Sequence, residues 1–236
     1  MSTAIIKTAN WPATALCALI LAAPGNALCQ TVPVSKADLC VTEGAIDESR
    51  GSLLSVESAK MRAYLNTATR QLVEARFTYL GPTATSARLG SGELRSQVGL
   101  KLRAADACNL VYAMWRFEPQ SMLVVSVKAN PGQHSSAECG NGGYRNIRPR
   151  LSQKFAAVRS GQMRTLRAEL NGETMKVFID QSEVWEGPLG EDIRGMQGPV
   201  GIRSDNARLQ IALQAGESLG VGAQRPACRS GAESSE

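Results

Sequence analysis

Residues 130–150, NPGQHSSAECGNGGYRNIRPR, gather side chains that are able to touch a ligand. The segment holds the chain's single histidine, His134, together with Tyr144 and Arg145. Gly140, Gly142 and Gly143 permit tight turns that present the ring and the guanidinium to solvent. A flat ring stacks on an apolar sugar face, while an arginine fork grips a hydroxyl or carboxylate beside it. Upstream, Tyr112, Met114 and Arg116 alternate onto one strand face, a second place where ring and cation adjoin. That face reads equally as the floor of a shallow groove and as a second layer covered by loops. His134 beside Gln133 invites a general-base role, since imidazole titrates near neutral pH. An exposed loop histidine is the simpler reading. No metal or cofactor is expected: there is no C-x-x-C pair, one histidine, and no D-x-[DN]-x-[DN] run. Asp205-Asn206 is explained by a turn.

The elements that must carry these residues are strands. Residues 70–80 (RQLVEARFTYL) alternate, with Ala75, Phe77 and Tyr79 on one face and Glu74, Arg76 and Thr78 on the other. Residues 94–104 repeat the pattern, with Val98, Leu100 and Leu102 inward and Gln97, Lys101 and Arg103 outward. Residues 109–117 (NLVYAMWRF) are apolar on both faces, which places that strand centrally in its sheet. Trp115 is read there as core. MLVVSVK at 122–128 closes a hairpin with it. Residues 53–65 are expected to give one or two edge strands, and Phe155 to Val158 a short strand. The 163–179 run turns at Asn171-Gly172, the type I′ signal. Residues 191–195 fit one helical turn. Trp185 beside Val184 is expected at a rim, because one of two consecutive strand residues points outward. Ten to twelve strands with hardly any helix predict an all-β, two-sheet antiparallel β-sandwich.

Before and after this region the composition changes. Lys7 followed by ALCALILAA at 15–23 reads as a secretory signal, too short to span a bilayer. Small residues allow cleavage after Ala27 or Cys29, and Leu28 argues against lipidation of Cys29. Residues 1–29 are therefore expected to be a signal peptide, 30–50 an irregular N-terminal arm, 51–215 the domain, and 216–236 a loose tail held by Cys228. An exported protein, periplasmic or extracellular and not membrane-spanning, is the expectation. Cys40, Cys108, Cys139 and Cys228 remain after the signal, an even number that favours two disulfides in an oxidising compartment. The hairpin between Cys108 and Cys139 folds those two towards each other. Lysine and arginine total 26 against 21 acidic residues, a net charge of +5. The arginines are scattered without a basic stripe, which argues against nucleic acid and leaves a weak preference for anionic partners.

The order MRTLRAELNGETMKVFID, SEVWEG, GPVGIRSDNARLQIALQA resembles the C-terminal half of a concanavalin A-like (laminin-G-like) jelly roll. In such domains an N-G or D-G hairpin leads into a VWEG-like strand and a GxVGLxS strand. The resemblance spans roughly residues 53–215 and implies a jelly roll. It also implies that the terminal segments run close together, which pairs Cys40 with Cys228 and leaves Cys108 with Cys139. Enzymes of this family hydrolyse glucans with carboxylates on one strand, in an E-x-D-x-x-E run that is missing here. Glu43, Asp47 and Glu48 lie in the arm, and Glu169 and Glu173 flank a turn. Related lyases set Gln-x-His on a strand, whereas Gln133 and His134 are adjacent in a loop. The resemblance thus favours a binding module for glycan, anionic polysaccharide or another envelope surface. A lyase using His134, Tyr144 and Arg145, and an envelope protein-interaction domain, are the alternatives.

Overall fold

The structure is a computed structural model that describes residues 31–49, 52–219 and Cys228. The expected signal segment and most of the expected tail lie outside the described residues. In chain order the strands are β1 (Thr31–Val34), β2 (Leu39–Glu43), β3 (Asp47–Ser49), β4 (Leu53–Val56) and β5 (Lys60–Leu65). Next come β6 (Leu72–Pro82), β7 (Ser96–Leu102), β8 (Leu110–Glu118), β9 (Met122–Lys128), β10 (Tyr144–Asn146) and β11 (Leu151–Ser152). The last are β12 (Met163–Asn171), β13 (Thr174–Ile179), β14 (Ser182–Pro188), β15 (Gly201–Asp205) and β16 (Ala207–Gly216). They form two antiparallel sheets packed as a jelly-roll sandwich. One has the order β11-β14-β13-β12-β6-β16-β4-β3, with β1 also on β16; the other runs β10-β9-β8-β7-β15-β5-β2.

Alternation builds the core. Val73, Ala75, Phe77 and Tyr79 of β6, Leu166, Ala168 and Leu170 of β12, and Leu209, Ile211 and Leu213 of β16 all face the second sheet. From that sheet Val98, Leu100 and Leu102 of β7 meet them, with Val111, Ala113, Trp115 and Phe117 of β8. Trp115 is fully buried, edge-on to Phe77 at 5.7 Å and capped by the Arg164 guanidinium at 5.0 Å. Met175, Val177 and Ile179 of β13 complete the inner face.

Several local expectations are corrected. The segment read as an irregular arm contributes β1, β2 and β3, because its apolar pieces, Val34, Leu39 and Ile46 among them, are short but buried. β4 and β5 belong to different sheets, and neither is an edge. Phe155 to Val158 forms no strand, and Leu151–Ser152 pairs with β14 instead. The β12–β13 turn has Gly172 and Glu173 as its central residues, since Asn171 still pairs with Thr174. Only Gly172 has positive φ there, at 59°, which is the pattern of a II′ turn. The two-positive pattern of I′ falls on Asp180 and Gln181, at 48° and 70°, between β13 and β14. Val184 and Trp185 are both buried because a register shift on β14 at this point lets two consecutive residues turn inward.

Both expected disulfides are present. Cys40–Cys228 ties the ends of the domain, and Cys108–Cys139 joins the start of β8 to the β9–β10 connection. Among the described residues no helix is long and apolar enough to cross a membrane.

Candidate functional site

The outer face of the seven-stranded sheet departs from what simple alternation predicts. Gln97 and Lys101 of β7, expected at the surface, are buried, as are Arg62, Lys128, Arg203 and Asp205. Burying ions is costly without partners, so such a face must be internally paired. Asp205 accepts from Arg62 at 2.7 Å, Gln97 at 2.6 Å and Arg203 Nε at 3.0 Å. These contacts hold its carboxyl below the usual range against a strong desolvation penalty. Glu43 lies 3.7 Å from Arg62 Nε, and its pKa is raised because burial outweighs that attraction. A dipeptide read as a turn therefore carries the anion that organises the sheet's outer layer. The signal was faint: an acid at the end of a strand, two residues after Arg203.

A cleft of about 390 Å³ opens on this face. Tyr112, Met114 and Arg116 of β8 form its floor, with Gln97 of β7, Arg203 of β15, and Met122, Val124 and Ser126 of β9. Tyr112, Met114 and Arg116 thus share one cleft. The second-layer reading is also partly met, because Leu110, Tyr112 and Met114 pack with Ala104 as a small separate apolar cluster. Gly99 lies between Met114 and Arg203 in register, and a β-carbon there would overlap the Met114 thioether. The missing side chain lets Met114 lie across the strand.

Two loops wall the cleft. Residues 130–150 are less irregular than expected, with one helical turn at Ser136–Cys139 and β10 added to the sheet edge. Alternation along β10 sends Tyr144 and Asn146 into the cleft and Arg145 to the other side. Tyr144 is 37% exposed, and its ring stacks on Tyr112 at 6.2 Å and lies under the Lys128 ammonium at 5.0 Å. Arg203 lies 5.3 Å from the Tyr112 ring, so the stacked pair of tyrosines carries one cation on each ring. The opposite wall is the β6–β7 loop, through Leu89, Gly90, Ser91, Glu93 and Arg95. Asn206 holds that loop. Its amide accepts from Ala87 N at 2.7 Å and donates to Ala87 O and Arg95 O, both at 2.9 Å. Gly90 meets Asn141 across the cleft mouth.

Of the residues singled out in the sequence, Tyr112, Arg116 and Tyr144 converge. Arg145 is placed elsewhere, donating to Asp192 at 2.6 Å and to Leu189 O at 2.9 Å. His134 is exposed and pairs with Asp106 at 2.8 Å, outside the cleft lining. Its pKa is raised, chiefly by the hydrogen bond to that carboxylate. Glu93 is the one acidic side chain in the lining, and it is ion-paired with Arg95. Among the described residues no three His, Cys, Asp or Glu side chains gather as a metal-binding group. Sequence reading missed Arg95, Gln97, Arg203, Ser126 and Asn146, which only strand order brings together.

No family model matches the chain, and no curated protein matches it. The chain is similar to several solved structures. The carbohydrate-binding module CBM66 from Bacillus subtilis is 13% identical with a TM-score of 0.52, covering 74% of this chain and 92% of the module. Domain 4 of AbnA, an extracellular arabinanase from Geobacillus stearothermophilus solved with arabinotriose, is 11% identical over 76% of this chain and 83% of that one, with a TM-score of 0.40. The galectin LEC-6 of Caenorhabditis elegans is 11% identical over 78% and 99%, with a TM-score of 0.38. At these identities the likeness concerns fold alone.

Proposed function

We propose that this protein is an exported glycan-binding module whose site is the cleft on the outer face of the seven-stranded sheet. The observation that carries the reading is the partly exposed Tyr144, whose ring packs against Tyr112 and under the Lys128 ammonium in a cleft lined by polar donors. A fixed ring offers a stacking surface at low entropic cost, and the amides and guanidiniums around it match sugar hydroxyls. The Bacillus subtilis module shows that this architecture is used for carbohydrate binding, while the cleft itself supports the choice of surface. Two disulfides favour an oxidising compartment, in agreement with the signal-like segment at residues 15–23.

The test is a glycan array with the purified protein, followed by calorimetry on the strongest binder. Tyr144→Ala is expected to lower affinity at least about tenfold, the loss of one stacked ring and its cation contact. Its melting temperature should stay close to that of the parent, because Tyr144 packs outside the core. Absence of any glycan binder, or equal affinity of Tyr144→Ala and parent, overturns the assignment.

A further inference from the structure

The charges of the cleft can be balanced one by one. Arg203 and Arg62 share Asp205, and Glu43 stands beside Arg62, so both arginines have acidic partners. Arg95 is ion-paired with Glu93. Arg116 is left: among the described residues no carboxylate pairs with it, and its side chain lines the cleft. The Nε atoms of Arg95 and Arg116 are both buried without a hydrogen-bond acceptor. Two cations lining one pocket, each with a buried Nε–H that has no acceptor, form a locus of positive potential that an oxyanion would complement. Burial pushes both guanidiniums below their usual pKa, and Arg95 is lowered further by the charges of Arg116 and Arg203. An anion seated between them relieves that repulsion.

Position adds a second constraint. Arg116 stands opposite Gln97 on β7, at the end of the cleft reached by the β6–β7 loop. Tyr112, the ring under Tyr144, is four residues earlier on β8, about 13 Å along the strand. That distance is longer than one pyranose ring. The stacked sugar and the anionic group are therefore assigned to neighbouring sugars of one chain.

Resting on the glycan-binding reading, we infer that the ligand is an acidic oligosaccharide: one sugar stacks on Tyr144 while a neighbouring sugar places a carboxylate or sulfate on Arg116 and Arg95. No bond is made or broken. Recognition is by a forked charge-assisted contact at one end of the cleft and ring stacking at the other.

The test measures binding to oligogalacturonate, alginate oligomers and chondroitin sulfate, each beside its methyl-esterified or desulfated counterpart, together with neutral oligosaccharides. The parent is expected to bind at least one acidic chain about tenfold or more tighter than its neutralised counterpart. That preference should weaken with added salt and be lost with the monosaccharide. Arg116→Gln should lower affinity for the acidic chain about tenfold more than for its counterpart, with Arg116→Lys in between. The carboxylate and sulfate arms tell which group is read. Equal binding of acidic and neutralised chains, binding of neutral chains alone, or an Arg116→Gln loss that is the same for both overturns the acidic-ligand inference and leaves the glycan site standing. Failure of every glycan to bind overturns both. Circular dichroism of Arg116→Gln must match the parent, and if that variant unfolds, the Arg95→Gln variant takes its place with the same expectations.

Discussion

At the residue scale the outer layer of the seven-stranded sheet depends on one side chain. Asp205 is fully buried and neutralises parts of two arginines. Asp205→Asn leaves Arg62 and Arg203 buried with too little negative charge, and chemical denaturation is expected to show a loss of about 3–5 kcal/mol. The sign with pH follows from its depressed pKa. The stabilisation is complete above the ordinary carboxylate range and is lost as pH falls towards strongly acid values, where Asp205 takes up a proton. Glu43 acts in the opposite sense, since its raised pKa makes ionisation a cost that appears only as pH rises. Acid titration of Asp205→Asn should therefore show a flatter loss of stability than the parent. His134 offers a separate reading. Its pKa should lie above 6.5 by NMR titration and fall towards that value in Asp106→Asn, whose neutral amide lacks the carboxylate charge that favours the imidazolium. The small contribution of that pair is present at low pH and lost as pH rises through the raised pKa.

At the scale of elements, the turns and loops determine what the cleft can hold. Asn206 sits at φ 49° between β15 and β16 and bonds the β6–β7 loop through its side chain. Asn206→Ala is expected to cost about 2–4 kcal/mol, from three lost hydrogen bonds and buried groups left without partners. Asn206→Gly keeps the left-handed conformation but loses the same bonds, so a similar cost in both separates the clamp from the backbone. Hydrogen exchange of the Ala87 amide should speed up in each. The Asp180-Gln181 turn holds two non-glycine residues at positive φ, and Asp180 also accepts from Arg164 and from the Thr165 amide. Gln181→Gly is therefore expected to stabilise the protein by about 0.5–1 kcal/mol, because the left-handed conformation costs glycine little. Gly172→Ala, at φ 59°, should destabilise it.

At the scale of the molecule, the two disulfides do different work. Cys40–Cys228 closes a loop of 188 residues and Cys108–Cys139 one of 31. Loop-closure entropy puts their contributions at about 5 and about 4 kcal/mol respectively. The double serine variant at Cys40 and Cys228 is expected to lower the melting temperature while leaving ligand affinity intact. The pair at Cys108 and Cys139 should lower both, since that bridge anchors the connection from which β10 presents Tyr144. Thermal denaturation and calorimetry on the two double variants decide it. Equal effects on affinity would detach the bridge from the site.

Strand composition and turn chemistry were enough to read an all-β sandwich, its core faces, the Cys108–Cys139 pairing and the side chains of Tyr112, Met114, Arg116 and Tyr144, while the Cys40–Cys228 pairing followed from the resemblance to a jelly roll. That information is local: alternation at period two reports which face of a strand is apolar, and cysteine positions limit which hairpins can close. The same logic failed where local patterns were short or broken. The N-terminal strands are too brief to alternate, and the bulge on β14 turned Trp185 inward against the simple rule. It also failed where burial was polar. Gln97, Lys101 and Arg203 look like solvated positions in sequence, because nothing nearby in the chain shows that Asp205 and the covering loops will pair or shield them. Arg145 was grouped with Tyr144 by adjacency, yet the strand pleat sends neighbouring residues to opposite faces. Tertiary structure alone decided which side chains line the cleft, because strand order sets which of them share a face: β8 beside β7, β7 beside β15, and β10 at the edge of β9.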